Sequence, residues 1–197
     1  MTKMMRALQV LQAGVMPEIV EIPIPEPGPG QVRLRTAGSG LCHSDLYVIQ
    51  AKPSYFPLPL TIGHEPTGWV DAIGPGVKSV HEGDAYALYF PWGCGHCARC
   101  AHGHENICEE QFIGPGAGHN GGMADYILVD DPRHLVPLGT LDPVAVRQYK
   151  FRGSVVTEWP LCLDIHVRPP LINIGDWTLS PLRAHSIERA ALWLDTH

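Results

Sequence analysis

Four cysteines crowded into one short segment constrain this chain more than any other feature. Cys94, Cys97, Cys100 and Cys108 stand at C-x2-C-x2-C-x7-C spacing between Trp92 and Cys108. Two-residue spacings let successive thiolates turn back onto one ion, and a fourth closes a tetrahedron with Zn–S bonds of about 2.3 Å. Four soft ligands with no open position make a structural site, for which zinc is the first expectation and iron the second. A two-Cys, two-His site drawing on His102 or His104 is the other arrangement, but it strands thiolates beside a metal. Free buried cysteines are the plain alternative, and so regular a spacing speaks against them. The lobe, residues 92–110, is therefore expected to stabilise and to do no chemistry.

Six cysteines in a secreted protein would suggest three disulfides, but their clustering points to metal and to a reducing cytosol. Met1 to Met16 shows no targeting signal, its apolar run being broken by Gln9, Gln12 and Gly14. No stretch approaches the roughly 20 apolar residues of a membrane-spanning helix. A net charge of −6 and a pI near 6.0 leave no basic face for nucleic acid. Neither a membrane nor a nucleic-acid partner is expected.

The chain holds 21 Gly and 19 Pro, which implies many turns between short strands. Strands are predicted over 6–12, 18–24, 31–37, 67–74, 84–90 and 123–129. The third alternates Val32 and Leu34 with Arg33 and Arg35, the period of a half-buried strand. Such spacing predicts a mainly β fold, a small barrel or sandwich, over residues 1–145. Residues 146–197 differ: they hold only Gly153 and Gly175 of the 21 glycines. Ser180 and Pro181 before Leu182, Ile187, Ala190, Ala191 and Leu194 predict a capped C-terminal helix.

A second constellation lies in Gly40-Leu-Cys-His-Ser-Asp-Leu46 and Gly63-His-Glu-Pro-Thr-Gly68. Cys42 and His64 are a thiolate and an imidazole, a pair suited to zinc. Glu65 follows at once, and Asp45 can hold the His64 ring in one tautomer. A lone Cys and a lone His this far apart are also ordinary core residues, and the residues alone leave both readings open.

These motifs, followed by the four-cysteine lobe and then Gly121-Gly-Met-Ala-Asp-Tyr126, resemble in order the zinc-dependent medium-chain alcohol dehydrogenases. The likeness covers residues 6–145, the family's GroES-like catalytic domain. It implies a catalytic zinc on Cys42 and His64, with a third ligand and one position for a substrate oxygen. It implies that Glu65 tunes or joins that shell and that Ser44 takes the alcohol proton. By the same resemblance His43 stands near the pyrophosphate of NAD or NADP. Small alcohols, aldehydes or ketones are the implied substrates. Where some relatives carry a relay histidine this chain has Tyr47, which becomes a candidate pocket wall. Tyr55 and Trp92 are further candidates, or else plain core aromatics.

The resemblance stops at Val146. The family's third zinc ligand, a Cys or Asp, would follow Leu141-Asp-Pro-Val-Ala145, where Asp142, Cys162, Asp164 and His166 have no motif around them. Gly116-Ala-Gly-His-Asn-Gly121 matches G-x-G-x-x-G formally, but lacks the preceding apolar strand and the following helix, and is expected to be a loop. The 52 residues after 145 are too few for two βαβαβ halves. No complete Rossmann domain is therefore expected, and the tail has the character of unrelated or out-of-frame sequence. A cofactor would have to come with another chain, and an uncovered apolar face would favour self-association. The alternative to a truncated dehydrogenase is an inactive zinc-binding remnant or interaction module.

Overall fold

The computed structural model describes residues 2–150. The expected C-terminal helix, Cys162, Asp164 and His166 lie outside the described residues. The fold is mainly β, as the sequence pattern predicts. β1 (Met4–Val10) pairs antiparallel with β2 (Glu18–Pro23) on one edge and with the short β4 (Leu60–Thr61) on the other. A second, five-stranded sheet runs in the order β10 (Leu135–Pro137), β6 (Ala85–Leu88), β5 (Glu65–Ile73), β3 (Val32–Gly40), β9 (Tyr126–Val129). Val32, Leu34, Val70, Leu88, Ile127 and Val129 fill its core, and Leu8, Val10, Ile49, Ile62 and Met123 fill a second.

The strand expected over 123–129 is divided between these two sheets. Ala124 bridges Ala7 of β1, whereas Tyr126 pairs with Arg35 of β3. Asp125 makes the crossing. Its backbone carbonyl accepts from Thr36 N at 2.9 Å, and its carboxylate takes Arg6 N and the Arg6 guanidinium at 2.9 and 3.2 Å. One polar residue thus satisfies backbone donors of both sheets at the corner of the barrel.

Gly116–Gly121 forms a loop, as expected. Its residues take part in the two-residue parallel pair β7 (Gly114–Pro115) and β8 (Gly118–His119), with φ of 74° at Gly116 and 82° at Gly118. Gly121 N donates to Thr61 O at 2.8 Å, and no helix opens there to meet a pyrophosphate.

Trp92 is 2 % exposed and belongs to the main core, the second of the two readings its sequence context left open. Its ring stacks on His134 at 4.9 Å and 13° and leans on His119 at 4.7 Å, while its indole N–H donates to Tyr89 O at 2.8 Å. Its ring is thus a core aromatic. Trp92 also forms an antiparallel bridge with Ile113, so the four-cysteine lobe leaves and rejoins the barrel at one point.

Burial, helped by the Arg133 guanidinium, lowers the His134 pKa to about 4. The unfolded chain then binds one more proton than the folded one between about pH 6.5 and 4. This stabilisation is complete above about 6.5 and lost as the pH falls toward 4, on the order of 2–3 kcal/mol. His134→Phe, which keeps the stack but cannot charge, is expected to lose less stability than the parent over that interval in urea titrations. Cys108, lowered to about 6, also titrates there, so the difference between the two proteins is the readout; parallel curves would contradict the assignment.

Candidate metal centres

The β3–β5 ladder builds the first centre. Its register runs from Val32 opposite Ile73 to Gly40 opposite Glu65, with irregularities at Arg33/Leu34 and Thr36/Gly38. Since the strands are antiparallel, the segment leaving β3 and the segment entering β5 emerge side by side. The first begins α1 (His43–Gln50), with Cys42 at its N-cap, and the second carries Gly63 and His64. Gly63 has φ 98°, and a Cβ there would lie 2.6 Å from the Met123 side chain and 2.9 Å from its backbone nitrogen. Gly40 likewise leaves room for the Glu65 carboxylate. Side chains at either glycine would push this turn apart.

As a result, Cys42 Sγ, a His64 ring nitrogen and a Glu65 carboxylate oxygen all lie within 4.8 Å of one another. Asp45, 1 % exposed, organises them. One carboxylate oxygen accepts from Cys42 N at 2.9 Å, capping α1, and the other lies 3.3 Å from His64 Nδ1. With Nδ1 engaged, Nε2 is the nitrogen left to bind a cation. Burial opposes a charge on the ring, but Asp45 and then Cys42 outweigh it and raise the His64 pKa well above its usual value. Burial also pushes the Cys42 thiol up, and the adjacent His64 ring more than reverses this. The donor set favours a thiolate beside a cation, which suits zinc. Ser44 Oγ stands 3.4 Å from Cys42 Sγ, and the Phe90 ring lies 5.7 Å from the His64 ring.

The second centre is the lobe. α2 (Ala98–Ala101) starts from Cys97, and a short 3-10 turn over Glu105–Ile107 leads into Cys108. Cys94 and Cys100 sulfurs lie 3.9 Å apart, and those of Cys97 and Cys108 4.0 Å. The edge of a tetrahedron with 2.3 Å Zn–S bonds is about 3.8 Å. Backbone N–H groups of Cys97, Cys100 and Cys94 point at the sulfurs of Cys94, Cys97 and Cys108 at 3.3, 3.4 and 3.4 Å. The N–H groups of Cys94 and Glu110 lower the Cys108 pKa to about 6, whereas burial raises that of Cys100 to about 12. A central cation would favour the thiolate form of both. His102 Nδ1 is bound to Ala98 O at 2.7 Å, so the four-thiol set is the one the geometry assembles.

Other sequence candidates separate. His43 is the first residue of α1. Tyr47 and Tyr55 are 66 % and 74 % exposed, so neither is a core aromatic. Asp142 is exposed, and its side chain caps α3 (Pro143–Lys150) by accepting from Val144 N at 2.9 Å. Two contributors had no signal in the sequence. Phe90 packs on His64, and Arg133 ties the lobe down by donating to Gly93 O at 2.7 Å.

Residues 28–140 match the family described as "Alcohol dehydrogenase GroES-like domain". The chain belongs to this family. As a GroES-like domain it is 41 % identical, over 129 residues, to D-arabinose 1-dehydrogenase (NADP(+)) of Saccharolobus solfataricus, covering 64 % of this chain and 36 % of that protein. It is 32 % identical over 150 residues to an NAD-dependent alcohol dehydrogenase of Sulfurisphaera tokodaii, covering 71 % and 42 %. The cobalt- and zinc-bound thermostable alcohol dehydrogenase of Pyrobaculum aerophilum superposes with a TM-score of 0.67 at 29 % identity, over 77 % of this chain and 49 % of that one. The chain thus spans roughly two fifths of the length of these two curated relatives. Among the described residues of this GroES-like domain, no helix is long and apolar enough to cross a membrane.

Proposed function

We infer that this chain is the zinc-bearing part of an alcohol dehydrogenase, converting small alcohols to aldehydes or ketones. The convergence of Cys42, His64 and Glu65 donor atoms within 4.8 Å carries the reading. Cys42 and His64 hold a catalytic zinc, and Glu65 occupies or tunes a third position. When bound, zinc acts as a Lewis acid that lowers the pKa of a substrate hydroxyl. Ser44 Oγ then accepts the hydroxyl proton and passes it outward, since a hydroxyl donates and accepts at once. Asp45 holds His64 Nδ1 and so keeps Nε2 aimed at the ion. Tyr47 and Tyr55 present exposed rings as substrate walls.

Cys94, Cys97, Cys100 and Cys108 hold the structural zinc. The hydride acceptor is NAD or NADP, with His43 at its pyrophosphate. No cofactor-binding fold occurs among the described residues, so the acceptor needs a fold outside residues 2–150. The domain extends to residue 145, and 146–197 are left without a role.

Metal content tests this directly. The purified chain is expected to carry two zinc ions and Cys42→Ser one. A single zinc in both proteins, lost when a lobe cysteine is replaced, would leave the inactive remnant or interaction module as the reading. Oxidation of simple alcohols with NAD or NADP, alone or mixed with an intact relative, then tests turnover.

A further inference from the structure

A third cluster lies on the outside of the lobe. Cys94 Sγ, a His96 ring nitrogen and a Glu110 carboxylate oxygen all fall within 4.8 Å of one another. His96 Nδ1 is 3.2 Å from Glu110 Oε1. Nitrogen and oxygen ligands on one tetrahedral zinc, each about 2.0–2.1 Å from it, stand about 3.3 Å apart. Cys94 belongs to this cluster and to the four-thiol set alike.

The surroundings give the cluster a direction. Cys97 and Cys100 are buried, whereas Cys94 and Cys108 are partly exposed, so an ion from solvent meets one of the outer pair first. A cleft of about 320 Å³ opens beside the lobe, and Cys94 is the one thiol of the four on its wall, together with His96 and Glu110. Asp130, 3.3 Å from His119, and Asp131, 3.7 Å from Arg133, line the same cleft and add negative charge to it. Arg133 also reaches it, but its guanidinium is bound to Gly93 O at 2.7 Å and lies 3.6 Å from Glu105. The His96–Glu110 pair is 70 % and 49 % exposed at its side chains, so as an ion pair it contributes little to stability.

We propose that Cys94, His96 and Glu110 form a landing site through which zinc reaches, and leaves, the four-thiol lobe. The ion first binds Cys94 Sγ, the His96 ring and the Glu110 carboxylate. It then moves inward without leaving Cys94. The bonds to His96 and Glu110 break, bonds to Cys97, Cys100 and Cys108 form, and each thiol that still carries a proton releases it to water. Release retraces the same steps. The proposal rests on the structural-zinc reading above.

Transfer of zinc from the loaded full-length chain to the chromogenic chelator 4-(2-pyridylazo)resorcinol tests it. A Cys42→Ser background leaves the lobe as the source of metal. His96→Ala combined with Glu110→Gln is expected to slow transfer about tenfold, the scale of losing supporting metal contacts. Total zinc released should not change. Glu109→Gln, which breaks the neighbouring 3.4 Å contact with Arg99, should transfer at the parent rate. An unchanged rate in the double variant, with zinc still present, overturns the landing site alone. Absence of zinc from the Cys42→Ser parent overturns the structural-zinc reading and the landing site with it. Equal slowing by Glu109→Gln would make the effect general to lobe charge and overturn the specific role.

Discussion

Cys100→Ser is expected to remove one zinc per chain and to unfold residues 93–112 while the five-stranded sheet stays folded. The hydrophobic clusters of the described residues include Trp92 and Ile113 at the ends of this segment but none of the residues between. On the structural-zinc proposal, metal would take the place of an apolar core there. Zinc binding to small structural sites supplies about 10–16 kcal/mol at pH 7, far above what a few backbone hydrogen bonds provide. Serine offers a hard, poorly ionised oxygen in place of a soft thiolate at a position 8 % exposed. Amide exchange should show lost protection across the lobe and retained protection over β3 and β5. Native zinc content and lobe protection in this variant would mean that the sulfurs are ordinary buried thiols.

Asp45→Ala should have the next largest effect, because a single carboxylate serves both the helix start and the His64 ring. Losing the 2.9 Å bond from Cys42 N costs about 1–2 kcal/mol as a lost helix cap. Losing the 3.3 Å contact to His64 Nδ1 should weaken zinc at Cys42 and His64 about 10–100-fold. Asp45→Asn separates the two roles, since its amide oxygen still accepts from Cys42 N but carries no charge. Stability should recover in Asn, whereas zinc affinity, measured by competition with a chelator, should stay low, because the amide NH2 left facing His64 Nδ1 donates where the carboxylate accepted. Full zinc affinity in both variants would show that Asp45 is a cap and nothing more.

The two centres differ in how openly the sequence displays them. The lobe is local: its ligands are consecutive in chain and space, so spacing alone announces it. Cys42 and His64 are brought together by strand register, which depends on irregularities at Arg33/Leu34 and Thr36/Gly38 that no residue pattern marks. The residue types alone left that pairing open, and the resemblance to a family favoured it. Strand type was readable where alternation was long, as in β3. It was not readable for β4 or β10, which are two and three residues long. The strand expected over 123–129 was drawn too simply because Asp125 changes sheets by satisfying backbone donors from both. The role of Trp92 was ambiguous because a large ring beside a cysteine cluster suits a pocket or a core equally, and no residue pattern marks its packing between two histidines.

The bridge between Trp92 and Ile113, with Trp92 N donating to Ile113 O at 2.8 Å, has a wider meaning. It pinches the twenty intervening residues into a side excursion whose two stems touch. Such an excursion can be trimmed, lengthened or exchanged for a tight turn at a modest closure entropy, about 0.6 kcal/mol per doubling of its length. Evolution could thus add or discard this four-cysteine appendage without disturbing the chamber where Cys42 and His64 meet.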